Sequence, residues 1–258
     1  MPGSKRGLVL QPRDRHLLTE LARLRVVDRE QARLIGGFGS LTRINTRLLA
    51  LVRAGLLVRV PVGTVRGGHK FVYALSRHGA QLLEQPFRAL PVRTDTVLAG
   101  NVFLEHQLRI NALYLQLAYR RIPLPGIQLR HWRTFQRPIS AQVSLLPDAY
   151  IELNTPTGIR AMFLEMDLGT ESLRIWKRKV AAYLQLAVSG EFLTQFQLPQ
   201  FRVLVVAPSM RRLNTIRAVV AQRTSKVFWL TTFDTCTTAS LWAATWWRPT
   251  GEQRQTFF

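Results

Sequence analysis

Five of the chain's 15 acidic residues, Asp148, Glu152, Glu165, Asp167 and Glu171, fall within 24 positions. A protein of formal charge +21 has every electrostatic reason to scatter its carboxylates among its bases. Grouping them points to a cation being held, and Mg²⁺ or Mn²⁺ are the ions that prefer such oxygen ligands. Two short signatures carry the group. Pro147-Asp148 follows the run Val143–Leu146, and Glu165-Met166-Asp167 ends the run Ala161–Leu164. Alternation along a strand puts Glu165 and Asp167 on one face, two rises of about 3.3 Å apart, and puts Asp148 with Tyr150 and Glu152 on a neighbouring strand. Lys179 and Tyr183 lie four apart on the helix that follows, one above the other. Asp148, Glu165 and Asp167 can thus meet an ammonium at a sheet end. A divalent ion held there would activate water and steady a phosphorane-like transition state, with Lys179 offsetting charge.

The elements that must position these groups follow from the patterning. An amphipathic helix spans 102–121 and ends before Pro123-Leu124-Pro125-Gly126. Strands are predicted at 128–137, 148–153 and 159–167, the last two joined by a hairpin turn at Asn154–Gly158. A helix from 171 to 188, capped by Thr170, carries the stripe Leu173, Trp176, Val180, Leu184 and Ala187. Phe201–Ala207 reads as a buried strand, followed by a helix at 210–222 and a strand at 226–230. The order α-β-β-β-α-β describes a sheet with helices on its faces.

The first ninety residues read differently. Leucines and alanines at helical spacing mark a helix over 11–25. Asp28 caps a second, stopped by Gly36-Gly37, and Ser40 caps a third with the stripe Leu41, Ile44, Leu48 and Leu51. Strands at 57–62 and 69–75 flank a basic turn, and Ser76 begins a fourth helix running to about Gln85. Three helices followed by a hairpin with a basic tip is the order of a winged helix-turn-helix, whose third helix enters the major groove. Arg43, Asn45, Thr46 and Arg47 are then the residues placed to read base edges, while Arg66, His69 and Lys70 suit the phosphate backbone. The expected domains are 1–90, a linker at 91–101 containing Pro91 and Gly100, and 102–258. A winged helix used only for protein contacts is the plainer alternative.

Composition narrows the partners. Residues 1–100 hold 17 bases and six acids, and residues 101–258 hold 19 and nine, so both halves are strongly basic. That balance suits two domains touching one polyanion, double-stranded DNA. Arginine predominates among the bases, and its planar fork matches phosphate oxygens and guanine edges. No apolar run approaches the length of a membrane span, and the single Cys236 fits a reducing, cytoplasmic setting. No Gly-x4-Gly-Lys-Ser/Thr phosphate loop occurs, which argues against a nucleotide-driven motor. Trp242, Trp246 and Trp247 offer either base stacking or, more plainly, packing in the core or a homodimer.

The order α-β-β-β-α-β, with Pro147-Asp148 at one strand and Glu165-Met166-Asp167 at the next, is similar to the PD-(D/E)XK restriction-endonuclease fold. Joined to an N-terminal winged helix, the chain resembles the replication-relaxation family of plasmids and integrative elements. The matching stretches are Gly67–Leu75 with Gly79-Ala80, His106-Gln107-Leu108 with Asn111, Pro147–Tyr150, and Phe163–Glu171 with Lys179 and Tyr183. The resemblance implies a protein of mobile DNA that nicks or relaxes DNA at an origin, as some conjugative relaxases related to restriction enzymes are thought to do. It implies Asp148, Glu165 and Asp167 as ligands of Mg²⁺ or Mn²⁺, Lys179 as the catalytic ammonium and His106 as an accessory residue. One departure stands out: the nuclease pattern places lysine two residues after the acid, where this chain has Asp167. Lys179 or Lys177 must then supply the ammonium from the next helix. Otherwise the fold is an inactive one serving a replication initiator or transcriptional regulator that only binds DNA.

Overall fold

The computed structural model describes residues 8–63, 69–91, 97–236 and 239–257. It is a mixed α/β protein in two compact units, Met1–Leu115 and Gln116–Phe258. Among the described residues no helix is long and apolar enough to cross a membrane.

The first unit opens with α1 (Pro12–Leu24), α2 (Arg29–Ile35) and α3 (Leu41–Arg53), which are followed by the hairpin β2 (Leu57–Gly63) and β3 (His69–Leu75). Asp28 caps α2, accepting from Gln31 N at 2.9 Å, and Ser40 caps α3, accepting from Arg43 N at 3.3 Å. These caps satisfy amides that the helices leave without internal partners. The stripe Ile44, Leu48 and Leu51 is wholly buried, as its spacing requires. One strand was not foreseen: β1 (Val27–Asp28) pairs antiparallel with β3, giving a three-stranded sheet in the order β1-β3-β2. Ser76 caps α4 (Arg77–Leu82).

The helix expected to open the second domain is α5 (Val97–Ala118), and it packs on the first unit as far as Leu115. Leu104 and Leu108 join Val26, Val62 and Val72 in one apolar cluster. Asn111, fully buried, donates to the carbonyls of Leu24 (3.2 Å) and Val26 (2.6 Å) where α1 gives way to β1, and its amide oxygen accepts from Gln107. The Leu24 carbonyl also accepts from Val26 N at 2.7 Å, so Asn111 adds a second donor there and one to Val26 O. The two compact units divide at 115/116.

In the second unit a seven-stranded sheet has the order β10-β9-β8-β7-β6-β5-β4. Its strands are β4 (Gln128–Arg133), β5 (Ala149–Thr155), β6 (Gly158–Met166), β7 (Phe201–Ala207), β8 (Phe228–Thr232), β9 (Trp246–Trp247) and β10 (Arg254–Gln255). β5 and β6 form a hairpin across Pro156-Thr157, with Gly158 at φ 110°, a conformation that glycine adopts without steric cost. β6, β7 and β8 run parallel, connected through α6 (Leu173–Val188) with α7 (Glu191–Phe196) and through α8 (Met210–Ala221). One face of the sheet, with Phe163, Val203, Val205, Phe228 and Leu230, packs on Trp176, Val180 and Tyr183 of α6 and Leu213 and Ile216 of α8.

One boundary moved for an identifiable reason. α6 is capped by Ser172 and not Thr170, because Glu171 turns back to pair with Lys179. Trp242 and Trp246 are buried, and both rings lie against Phe257, so packing accounts for them. Cys236 is buried too, and desolvation pushes its thiol pKa well up, which removes it as a nucleophile.

Candidate functional site

The carboxylates of interest sit at the C-terminal end of β6, next to the start of β5. The hairpin register pairs Ala149 with Leu164, and Asp148 N donates to Leu164 O at 3.1 Å, which brings Asp148 alongside Glu165. An Oδ of Asp148 also accepts from Met166 N at 2.7 Å, anchoring its carboxylate at the strand end. Glu165 continues the inward face of β6 toward α6 and is 1% exposed. Two residues of α6, one turn apart, grip it there. Lys179 Nζ lies 2.8 Å from one oxygen, and the Tyr183 hydroxyl donates to the other at 2.6 Å. Lys179 also reaches Glu171 at 2.7 Å.

Electrostatics follow from this arrangement. Burial pushes the Glu165 pKa up to about 7, and the charge of Asp148 adds to the rise, while Lys179 and Tyr183 oppose it. Burial would lower the Lys179 pKa, but Glu165, Glu171 and Asp148 together outweigh that and raise it. Tyr183 is driven well above its ordinary value by burial and then by Glu165, so it stays a phenol donor. Lys179 is thus a fixed ammonium at neutral pH, 2.8 Å from a carboxyl whose pKa burial has raised.

Asp167 is placed elsewhere. It lies one residue beyond β6, with its carboxylate fully buried, and Arg212 of α8 forks onto it at 2.8 and 2.9 Å. Trp176 Nε1 (3.3 Å) and Gly169 N (2.8 Å) complete its contacts. Gly169, at φ 82°, gives the turn that lets its amide reach back. Asp167 is therefore engaged by an arginine, whereas Glu165 is engaged by Lys179 and Tyr183. Among the described residues no group of three His, Cys, Asp or Glu is arranged to hold a metal ion. Two carboxylates still suit Mg²⁺, which commonly takes one or two from protein and completes its shell with water and substrate phosphates. Glu171 Oε2, buried without a hydrogen-bond partner, is a further acceptor that a cation would satisfy.

The other expected site residues fall as follows. His106 is on α5, in the first unit. Glu152 pairs with Arg130 at 3.1 Å and accepts from the Tyr150 hydroxyl at 2.9 Å, away from Glu165. Lys177 is exposed, unlike Lys179. On α3, Arg43 and Thr46 are exposed and Asn45 is half-buried. Arg47 is not offered on that face: its guanidinium engages the fully buried Asp14, with Nε at 2.8 Å, and also the Val9 carbonyl. Lys70 pairs with Glu105 of α5 at 3.4 Å, and His69 is exposed on β3. Arg66 lies outside the described residues. Sequence reasoning missed Arg212 altogether, since nothing local distinguishes it from its neighbour Arg211.

In comparison with known proteins, no curated protein and no solved structure matches the chain. A family model described as replication-relaxation matches residues 15–197, which takes in most of α1, all of α2 to α7, and Asp148, Glu165, Lys179 and Tyr183. The chain belongs to the replication-relaxation family.

Proposed function

We propose that this is a DNA-binding protein of a mobile element, acting in replication or relaxation, whose second unit nicks one strand by phosphodiester cleavage. The observation that carries this reading is the Glu165–Lys179 contact at 2.8 Å beside Asp148, where β5 begins and β6 ends. It reproduces the acid, acid and lysine of a restriction-endonuclease-like site, with the lysine drawn from α6. Family membership supports the biological setting.

Asp148 and Glu165 are the residues that would hold Mg²⁺ or Mn²⁺; such an ion, when bound, supplies an acidified water and neutralises phosphate charge. The protein's own groups have distinct tasks. Lys179 keeps its proton through its carboxylate neighbours and presents fixed positive charge for a phosphate oxygen, so little reorganisation accompanies charge build-up in the transition state. Tyr183 fixes the orientation of Glu165 through its hydroxyl. Glu171 steadies Lys179 from the opposite side, and the Asp167–Arg212 pair ties the end of β6 to α8.

For the first unit we infer a winged helix-turn-helix. The order of α1, α2 and α3 followed by a β2–β3 hairpin supports it, with β1 as the third strand. Arg43 and Thr46 on the exposed side of α3, with His69 at the hairpin, would then meet double-stranded DNA.

The test is conversion of supercoiled plasmid, carrying the element's own origin, to open circles in Mg²⁺ or Mn²⁺. Asp148→Asn and Glu165→Gln should each abolish conversion while leaving DNA affinity in EDTA unchanged or tighter, because these carboxylates repel phosphate when no cation lies between. Wild-type protein that binds the origin and leaves it supercoiled in both metals would favour the non-catalytic alternative, an initiator or regulator with an inactive nuclease fold.

A further inference from the structure

We propose that the opposite end of the same sheet carries a second anion site, one that takes the phosphate of a nucleotide, either free or within a DNA strand. Three arginines converge where β6, β7 and β8 begin: Arg160 on β6, Arg202 on β7 and Arg248 just after β9. Trp229 of β8 organises two of them, its ring centroid lying 3.6 Å from the Arg248 guanidinium carbon and 4.6 Å from that of Arg202. Among the described residues no carboxylate pairs with any of the three. Their hydrogen bonds go to neutral oxygens instead: Arg202 to the Phe257 carbonyl, Arg248 to Ser225 O at 2.9 Å, and Arg160 to the Thr157 hydroxyl at 3.4 Å.

This concentration of uncompensated charge is costly without an anion. Arg248 Nη1 is buried with no hydrogen-bond partner. Burial, followed by repulsion from Arg160 and Arg248, pushes the Arg202 pKa down to about 10. Each of these is the mark of desolvated positive charge that an anion would stabilise.

The adjoining cavity states the rest of the ligand. Its volume is about 590 Å³, and Leu186, Phe192, Phe201 and Val227 give it an apolar wall beside the arginines. That lies within the range of roughly 300–1,000 Å³ typical of small-molecule sites. Val188 (84% exposed) and Leu193 (54%) extend the apolar surface at its rim. Forked guanidiniums suit phosphate oxygens, and the apolar wall suits the faces of a base. Arg160 precedes Glu165 by five residues, about 16 Å along the strand at ~3.3 Å per residue, so one phosphate cannot serve both ends.

The experiment uses the full chain in EDTA, so its result is independent of any nicking. A fluorescein-labelled 12-nucleotide oligothymidylate and thymidine monophosphate are titrated against wild type, Arg202→Gln/Arg248→Gln and Arg160→Gln. The double variant is expected to bind about tenfold more weakly at physiological salt, the equivalent of one charge-assisted hydrogen bond. Its log–log salt slope for the oligonucleotide should flatten by roughly 1.4, at about 0.7 per lost contact to a single strand. Arg160→Gln, which loses only a hairpin hydrogen bond, keeps the test valid if the double variant melts early, and should flatten the slope by about half as much. Loss for both probes supports the site and assigns it to free nucleotides; loss for the oligonucleotide alone supports it as a strand contact. Unchanged affinity and slope in folded variants would overturn the proposal. So would weakened binding of a leucine-containing oligoglutamate peptide with both nucleotide probes unaffected.

Discussion

Replacing Asp167 by asparagine separates a structural carboxylate from a metal-binding one. The substitution keeps an acceptor for Gly169 N but removes the charge onto which Arg212 forks at 2.8 and 2.9 Å. Arg212 is only 17% exposed, so its guanidinium is left largely desolvated and without a counter-charge. Breaking a buried pair by removing one partner typically costs about 3–5 kcal/mol. Asparagine retains part of the hydrogen bonding, which places the expected cost near the lower end, about 3 kcal/mol. At roughly 2–4 °C per kcal/mol for a protein of this size, the melting midpoint should fall by about 10 °C. Circular dichroism melts of wild type, Asp167→Asn, Arg212→Met and the double variant provide a thermodynamic cycle. A coupling of about 2 kcal/mol or more is expected, the double variant being less unstable than the sum of the single changes. Nicking by Asp167→Asn, assayed well below its midpoint, should persist. A variant that melts within about 2 °C of wild type yet loses all nicking would refute the reasoning and return Asp167 to the metal.

Glu165→Gln should alter how stability responds to pH. A folded-state pKa raised from 4.5 to about 7 means the folded protein holds its proton longer than the unfolded chain does. Wild-type stability is therefore lost as pH rises from about 4.5 to 7, and at about 1.36 kcal/mol per pH unit the loss is on the order of 3 kcal/mol. Urea melts at pH 5 and pH 8 should show that decline in wild type and not in Glu165→Gln; parallel curves would contradict the assignment. Asn111→Ala removes the buried side-chain donor to the Val26 and Leu24 carbonyls, the latter keeping its bond from Val26 N, and should destabilise the first unit by about 1–3 kcal/mol, read as an early hydrogen-exchange opening of α1 and β3. Arg43→Ala should relax base preference at one position by about 1–3 kcal/mol in a competition assay, whereas Arg47→Ala should chiefly lower the melting point; the reverse pattern would put Arg47 at the DNA.

Much of the scaffold was legible because it rests on local chemistry. The apolar run of β7, interrupted only by Arg202, was read to the residue, and the side-chain caps at Asp28, Ser40 and Ser76 stand where hydroxyl or carboxylate precedes an apolar stripe. Lys179 was legible through its four-residue spacing from Tyr183, which the helix turns into a shared grip on Glu165. What escaped depends on partners far along the chain. The commitment of Asp167 to Arg212 spans 45 positions and that of Arg47 to Asp14 spans 33, and no local pattern marks either. β1 has two residues and exists only through pairing with β3, while α7 has six and too short a stripe to show periodicity. α5 carried a sound helical pattern, but which unit its apolar side would join was decided by contacts such as that of Asn111.

The central claim is that Lys179, held by Glu165 and Glu171, supplies the ammonium absent from the position of Asp167. Single-turnover nicking of the element's own supercoiled origin plasmid in Mg²⁺ tests it, with wild type, Lys179→Met and Lys177→Met compared at equal saturation with DNA. Lys179→Met is expected to be slower by about 100-fold or more, the scale set by removing one preorganised group that stabilises transition-state charge. Lys177→Met, changed at an exposed position one turn-face away, should stay within a few-fold of wild type. Loss of nicking in Lys177→Met with Lys179→Met unimpaired would contradict the account.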